Sequence, residues 1–92
     1  MELNYLEALM LREIAAGPAE LYNDREPKTL YINGYPAGND RVTLAVLDKI
    51  RNAGLLEIRG VDGPLETCSI NEEGIAVLRQ HFPAKKLEEF VP

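Results

Sequence analysis

Apolar and polar positions follow two periods along this chain, one helical and one alternating. Residues 3–16, LNYLEALMLREIAA, place Leu3, Leu6, Leu9, Met10 and Ile14 near the helical repeat, with Tyr5 alongside. Ala, Leu, Met, Glu and Arg favour helix. Gly17-Pro18 predicts the stop, with Gly suited to a left-handed cap and Pro unable to continue the ladder. A second helix is predicted over residues 40–53. Asn39 or Asp40 caps it, since either side chain can accept an early amide N–H. Steps of about 100° per residue gather Val42, Val46, Leu47, Ile50 and Ala53 on one face. The same steps put Arg41, Leu44, Asp48, Arg51 and Asn52 on the other, and Gly54 ends the helix.

The alternating period governs the rest. Leu56 and Ile58 alternate with Glu57 and Arg59, and Cys68 and Ile70 alternate with Thr67 and Ser69. That pattern predicts a β-hairpin with Asp62-Gly63 at its tip. Between the two helices, Glu20–Asn23 and Lys28–Asn33 are short β-type runs flanking the turn-rich NDREP, and they predict another hairpin. Asn33–Asn39, NGYPAGN, is expected to be a loop. Asn71 caps a last helix with Glu72 and Glu73 in its first turn, where the helix dipole favours negative charge. Ile75, Leu78 and Phe82 are its expected inner face, and Pro83 its stop. Residues 1–83 thus form one domain, and residues 84–92 a charged tail.

Composition narrows the class. Ninety-two residues hold one core. The single cysteine, Cys68, allows no intrachain disulfide and fits a reducing cytosol. No apolar run approaches the roughly 18 residues of a membrane span, and MELNYLEALM lacks the pattern of a secretory signal. The expected location is cytoplasmic. The net charge of -5 opposes bulk nucleic-acid affinity. Its distribution is uneven: residues 40–60 carry four cations against three anions, whereas the remainder carries six against twelve.

The order of elements carries a resemblance. The run VLDKIRNAGLLEIRGVDGPLETCSINEEGIAVLRQ, residues 46–80, resembles the winged-helix superfamily. In MarR- and PadR-type regulators a recognition helix ends in Gly followed by Leu or Ile. Two wing strands and a Thr-x-x-Gly helix start come next. The matching pieces are Ala53-Gly54-Leu55-Leu56, the wing Glu57–Ile70, and Asn71-Glu72-Glu73-Gly74, with Asn serving as the N-cap in place of Thr. The layout is also similar to that of small YjhX-type bacterial proteins, through Thr43-Leu44-Ala45-Val46 and a hairpin standing where the usual second helix would be. The resemblance implies an α+β winged helix: three helices, a C-terminal β-hairpin wing, and an extra hairpin or loop between the first two helices. The function it implies is DNA binding in transcriptional control by a homodimer.

That function assigns roles to particular residues. With helix 40–53 in the major groove, Arg41, Asp48 and Asn52 face the bases. Thr43, Lys49 and Arg51 lie towards the phosphates, and Arg59 of the wing reaches the backbone. Asp48 repels phosphate, and only cytosine offers it a donor. Pairing of two copies is expected through Leu6, Leu9 and Met10 of the first helix, or through Leu87 and Phe90 of the tail. The competing reading is a winged-helix module that binds protein, in an adaptor, toxin–antitoxin or phage-related role. It draws on the acidic balance, on Tyr22, Tyr31 and Tyr35, and on an outward Leu44. One Cys and one His give no zinc site, and the sequence carries no nucleophile–base pattern or phosphate-binding Gly loop. Neither a cofactor nor enzymatic activity is expected.

Overall fold

The computed structural model describes residues 2–82. The expected tail 84–92, with Leu87 and Phe90, and the stop at Pro83 lie outside these residues. Helix α1 spans Tyr5–Ala16, α2 Arg41–Asn52 and α3 Glu72–His81. Strands β1 (Ala19–Tyr22), β2 (Thr29–Ile32) and β3 (Tyr35–Gly38) join α1 to α2, and β4 (Leu56–Arg59) and β5 (Leu65–Ile70) join α2 to α3. The architecture is α+β. Among the described residues no helix is long and apolar enough to cross a membrane.

Each helix start is closed by a side chain. Asn4 and Glu7 form a reciprocal capping box on α1: Glu7 N–H donates to Asn4 Oδ1 (2.8 Å), and Asn4 N–H donates to Glu7 Oε1 (3.0 Å). Asp40 caps α2 and Asn71 caps α3, as their positions predicted. Helix α2 ends in a Schellman arrangement, with Gly54 at φ +78° and the Leu55 amide donating to the Ile50 carbonyl. Gly17 departs from expectation. It is extended (φ -173°), and it is glycine because an added Cβ would run into the Asn33 side chain.

The two predicted hairpins are not separate. Strand β1 pairs antiparallel with both β2 and β5, giving one sheet of order β3-β2-β1-β5-β4. The segment expected to be a loop holds β3, an edge strand. Asn33 (φ 53°) and Gly34 (φ 80°) make the two-residue turn that leads into it. Pro36 within the run argues against a strand, yet an edge position tolerates it because no ladder N–H is needed on its open side.

Leu21, Leu30, Ile32 and Cys68 point from one sheet face into the core. The helices supply Leu11, Ile14, Leu47, Ile50, Val77 and Leu78 to the same core. Leu11 is completely buried, whereas Leu6, on the same helix, is 54% exposed. Ile75 is only half-buried, so Val77 with Leu78 forms the true inner face of α3. The start of α3 sits against the chain leaving α2. An added Cβ on Gly74 would meet the Leu55 carbonyl and the Ile70 side chain, which accounts for glycine there.

Candidate interaction surfaces around the second helix

Helix α2 is rotated relative to the face assigned from its sequence. Arg41, Val42, Ala45, Asp48, Lys49 and Asn52 are exposed and form one stripe along its length. Val42, expected inside, is 62% exposed. Leu44, expected outside, is half-buried and packs against the core. Arg51, also expected outside, turns towards the sheet. The apolar pattern left this angle open because Val42 and Leu44 flank the same buried arc, and only the packing partners choose between them.

Arg51 meets a carboxylate that sequence reasoning did not single out as its partner. Its Nη1 and Nη2 donate to Glu66 Oε1 and Oε2 at 3.0 and 3.4 Å. Glu66, on β5, is 4% exposed. It also accepts the Asp62 amide at 3.0 Å. Asn23, at the end of β1, donates from its side chain to the Gly63 carbonyl and from its amide to the Pro64 carbonyl. One polar knot thus joins α2, the β4–β5 turn and the first hairpin. Burial pushes the Glu66 carboxyl up, but the Asp62 amide, the Arg51 charge and the Asn23 and Arg51 side chains outweigh it and hold the pKa below its ordinary value. The alternation of β5 contained the signal. Counting back from Ile70 and Cys68 places Glu66 on the inner face, where a carboxylate needs a cation.

The other expected DNA contacts divide between the stripe and elsewhere. Arg41, Asp48, Lys49 and Asn52 lie on it. Thr43 does not: it is half-buried, and its hydroxyl donates to Asp40 Oδ2 at 2.8 Å. The Asp40 carboxyl is in turn held below its usual range by the backbone and hydroxyl of Thr43. Lys49 Nζ stands 3.7 Å from Glu7 Oε2, and Arg59 Nε stands 3.7 Å from Glu57 Oε1. Asp48 interrupts the stripe between Arg41 and Asn52.

Two concavities border α2. On the Arg51 flank a cleft of about 380 Å³ is lined by Lys28, Leu44, Asp48, Asp62 and Glu66. On the Val42 flank a groove of about 710 Å³ runs between α1, β3 and α2. Leu9, Ile32, Ala37 and Val46 line it, and the exposed Leu6, Tyr35 and Val42 project beside them. Its charged lining residues among those described, Arg12 and Glu13, cancel. Met10, an expected dimer contact, reaches this groove but is 92% buried in the monomer's own core; Leu9 is half-buried and Leu6 is open. Of the three tyrosines, Tyr22 and Tyr31 pack edge to face with Arg25 over the Tyr22 ring at 4.1 Å, while Tyr35 stands apart at the groove.

Cys68 is fully buried, as its inward position predicted, and burial raises its pKa. His81 is exposed, and its Nε2 accepts the Leu3 amide at 3.3 Å. Comparison with protein-family models, with curated proteins and with solved structures finds no match to this chain.

Proposed function

We propose that the chain is a winged-helix protein-interaction module, with β4–β5 as the wing, that docks an apolar, uncharged surface of a partner protein in the groove between α1, β3 and α2. The order α1, strands, α2, hairpin, α3 supports the winged-helix part. The observation that carries the function is the groove. Three large apolar side chains, Leu6, Tyr35 and Val42, stand open beside it in a chain of net charge -5, and its own charged residues cancel. An uncharged apolar partner loses no solvated charge on entering it. The working location is the cytosol, where the thiol of Cys68 stays reduced.

DNA binding is the second reading, and the exposed stripe of α2 favours it. Arg41 near its start and Asn52 at its end are base-reading types placed on the solvent side. It ranks second because Arg51 is held by Glu66, Lys49 and Arg59 stand beside carboxylates, and Asp48 lies within the stripe.

One pair of variants separates the readings. Leu6→Glu with Tyr35→Glu, both at the groove and off the exposed stripe of α2, abolishes retention of the partner and lowers duplex affinity far less than Arg41→Ala. Arg41→Ala does the reverse if α2 reads DNA. Titration with random duplex at low and moderate salt gives the second arm, where DNA binding requires affinity that falls steeply with salt. Partner retention indifferent to both glutamates sinks the groove reading.

A further inference from the structure

The sheet has two edges, and they are built differently. Edge β3 contains Pro36, which has no amide hydrogen, shifts register between Leu30 and Tyr31, and packs beside α2. Edge β4 has the sequence LEIR, keeps a regular register with β5, and contains no proline. Its residues alternate in where the backbone points. Asn71 N–H donates to the Leu55 carbonyl, so Leu55 and Asn71 are a hydrogen-bonded pair. In an antiparallel ladder such pairs alternate. Glu57 and Arg59 therefore direct their N–H and C=O groups to β5, and Leu56 and Ile58 direct theirs to the open edge.

We propose that this edge joins a second copy of the chain, β4 against β4 about a two-fold axis at Ile58, making one continuous ten-stranded sheet. The charges select both the partner and the register. Ile58 faces Ile58 of the other copy as a hydrogen-bonded pair, since each presents its N–H and C=O outward. Glu57 then lies opposite Arg59 of the other copy, and Arg59 opposite Glu57, in the closer non-hydrogen-bonded pairs. Both side chains have room to do this, being 63% and 83% exposed on the solvent face. Sliding the strands by two residues either way sets Glu57 against Glu57 or Arg59 against Arg59, and like charges directly opposite destabilise. A charged edge normally repels its own copy. This one is self-complementary because its two charges are of opposite sign and two residues apart. The pairing is independent of the groove and uses Arg59, which in the DNA reading contacts the backbone.

Sedimentation equilibrium of the full chain over a concentration series at low salt tests the pairing. The wild type should fit a monomer–dimer equilibrium that weakens as salt rises. Arg59→Glu and Glu57→Arg should each raise the dissociation constant about tenfold or more, from two symmetric pairs turned repulsive. The double variant Glu57→Arg with Arg59→Glu should restore it. Amide exchange gives a second readout: the Ile58 N–H, directed at the edge, should become protected as dimer forms. A chain monomeric throughout overturns the proposal, as does a dimer that either single reversal leaves intact or that the double variant fails to restore. A dimer lost with Val42→Glu and kept in Arg59→Glu also overturns it, by moving the contact to the groove. Circular dichroism of each variant confirms that the fold is kept, so loss of association is not loss of structure.

Discussion

On one flank of α2, Arg51 and Glu66 form a two-point ion pair that the Asp62 amide completes, and the cleft beside them is small and lined largely by polar and charged side chains. On the other flank, Val42 stands in solvent beside Leu6 and Tyr35, and the groove there is larger and mostly apolar. The two flanks belong to one twelve-residue helix, yet they hold different kinds of residue in different states. The buried Glu66 and the half-buried Arg51 on the first flank satisfy each other within the chain and serve the fold. Apolar side chains on the second are unsatisfied within the described residues and are available to another molecule. An unpaired buried charge costs several kcal/mol, so the first flank had to be completed internally. An exposed valine or tyrosine costs little, so the second flank is tolerated open.

The largest expected break of this contrast is Arg51→Ala. It leaves Glu66 buried without its cation and should lower stability by about 3 kcal/mol, read from urea unfolding. That is a large share of the roughly 5–15 kcal/mol of a small domain. Replacing both partners, Arg51→Met with Glu66→Leu, should cost much less than Arg51→Ala alone. If the double change is as damaging as the single one, the knot is not acting as a charge pair.

A smaller effect follows from pH. The folded Glu66 carboxyl is depressed, so its contribution is present above its ordinary pKa of 4.5 and is lost as pH falls through the lower folded value. Urea midpoints should therefore drop in acid below that pH, and the Arg51→Met, Glu66→Leu variant should show a shallower drop. Equal acid sensitivity in the two proteins would mean that other carboxylates dominate. The smallest effect belongs to the open flank. Val42→Ala should change stability by within about 0.5 kcal/mol, as expected for an exposed position, while weakening retention of a groove partner. A destabilisation as large as that of Arg51→Ala would erase the distinction between the flanks.

Much of the fold was legible because its signals are local. Asp40 and Asn71 announced the starts of α2 and α3, Gly54 the end of α2, and Asp62-Gly63 the tip of the second hairpin. Strand β3 was hidden by Pro36 and Gly38 within it, although Asn33-Gly34 is a strong hairpin-turn signal. The expected site was less legible. Arg41, Asp48, Lys49 and Asn52 do share an exposed face, but Thr43 and Arg51 are engaged by Asp40 and Glu66. Arg51 reads as a surface cation until its partner, fifteen residues away on another element, is known.

The sequence by itself determined where α2 begins and ends, where α3 begins and which strands of the β4–β5 hairpin alternate, since caps, turns and periodicity act within a few residues. Tertiary structure decided that the two hairpins share one sheet through β1 and β5. It also decided the rotation of α2 about its axis and the fate of each charge on it. Those depend on which distant surfaces meet. A helix with an apolar arc flanked by both Val42 and Leu44 packs equally well by pattern at two angles. The buried carboxylate of Glu66, which requires a cation beside it, favours the one that turns Arg51 inward.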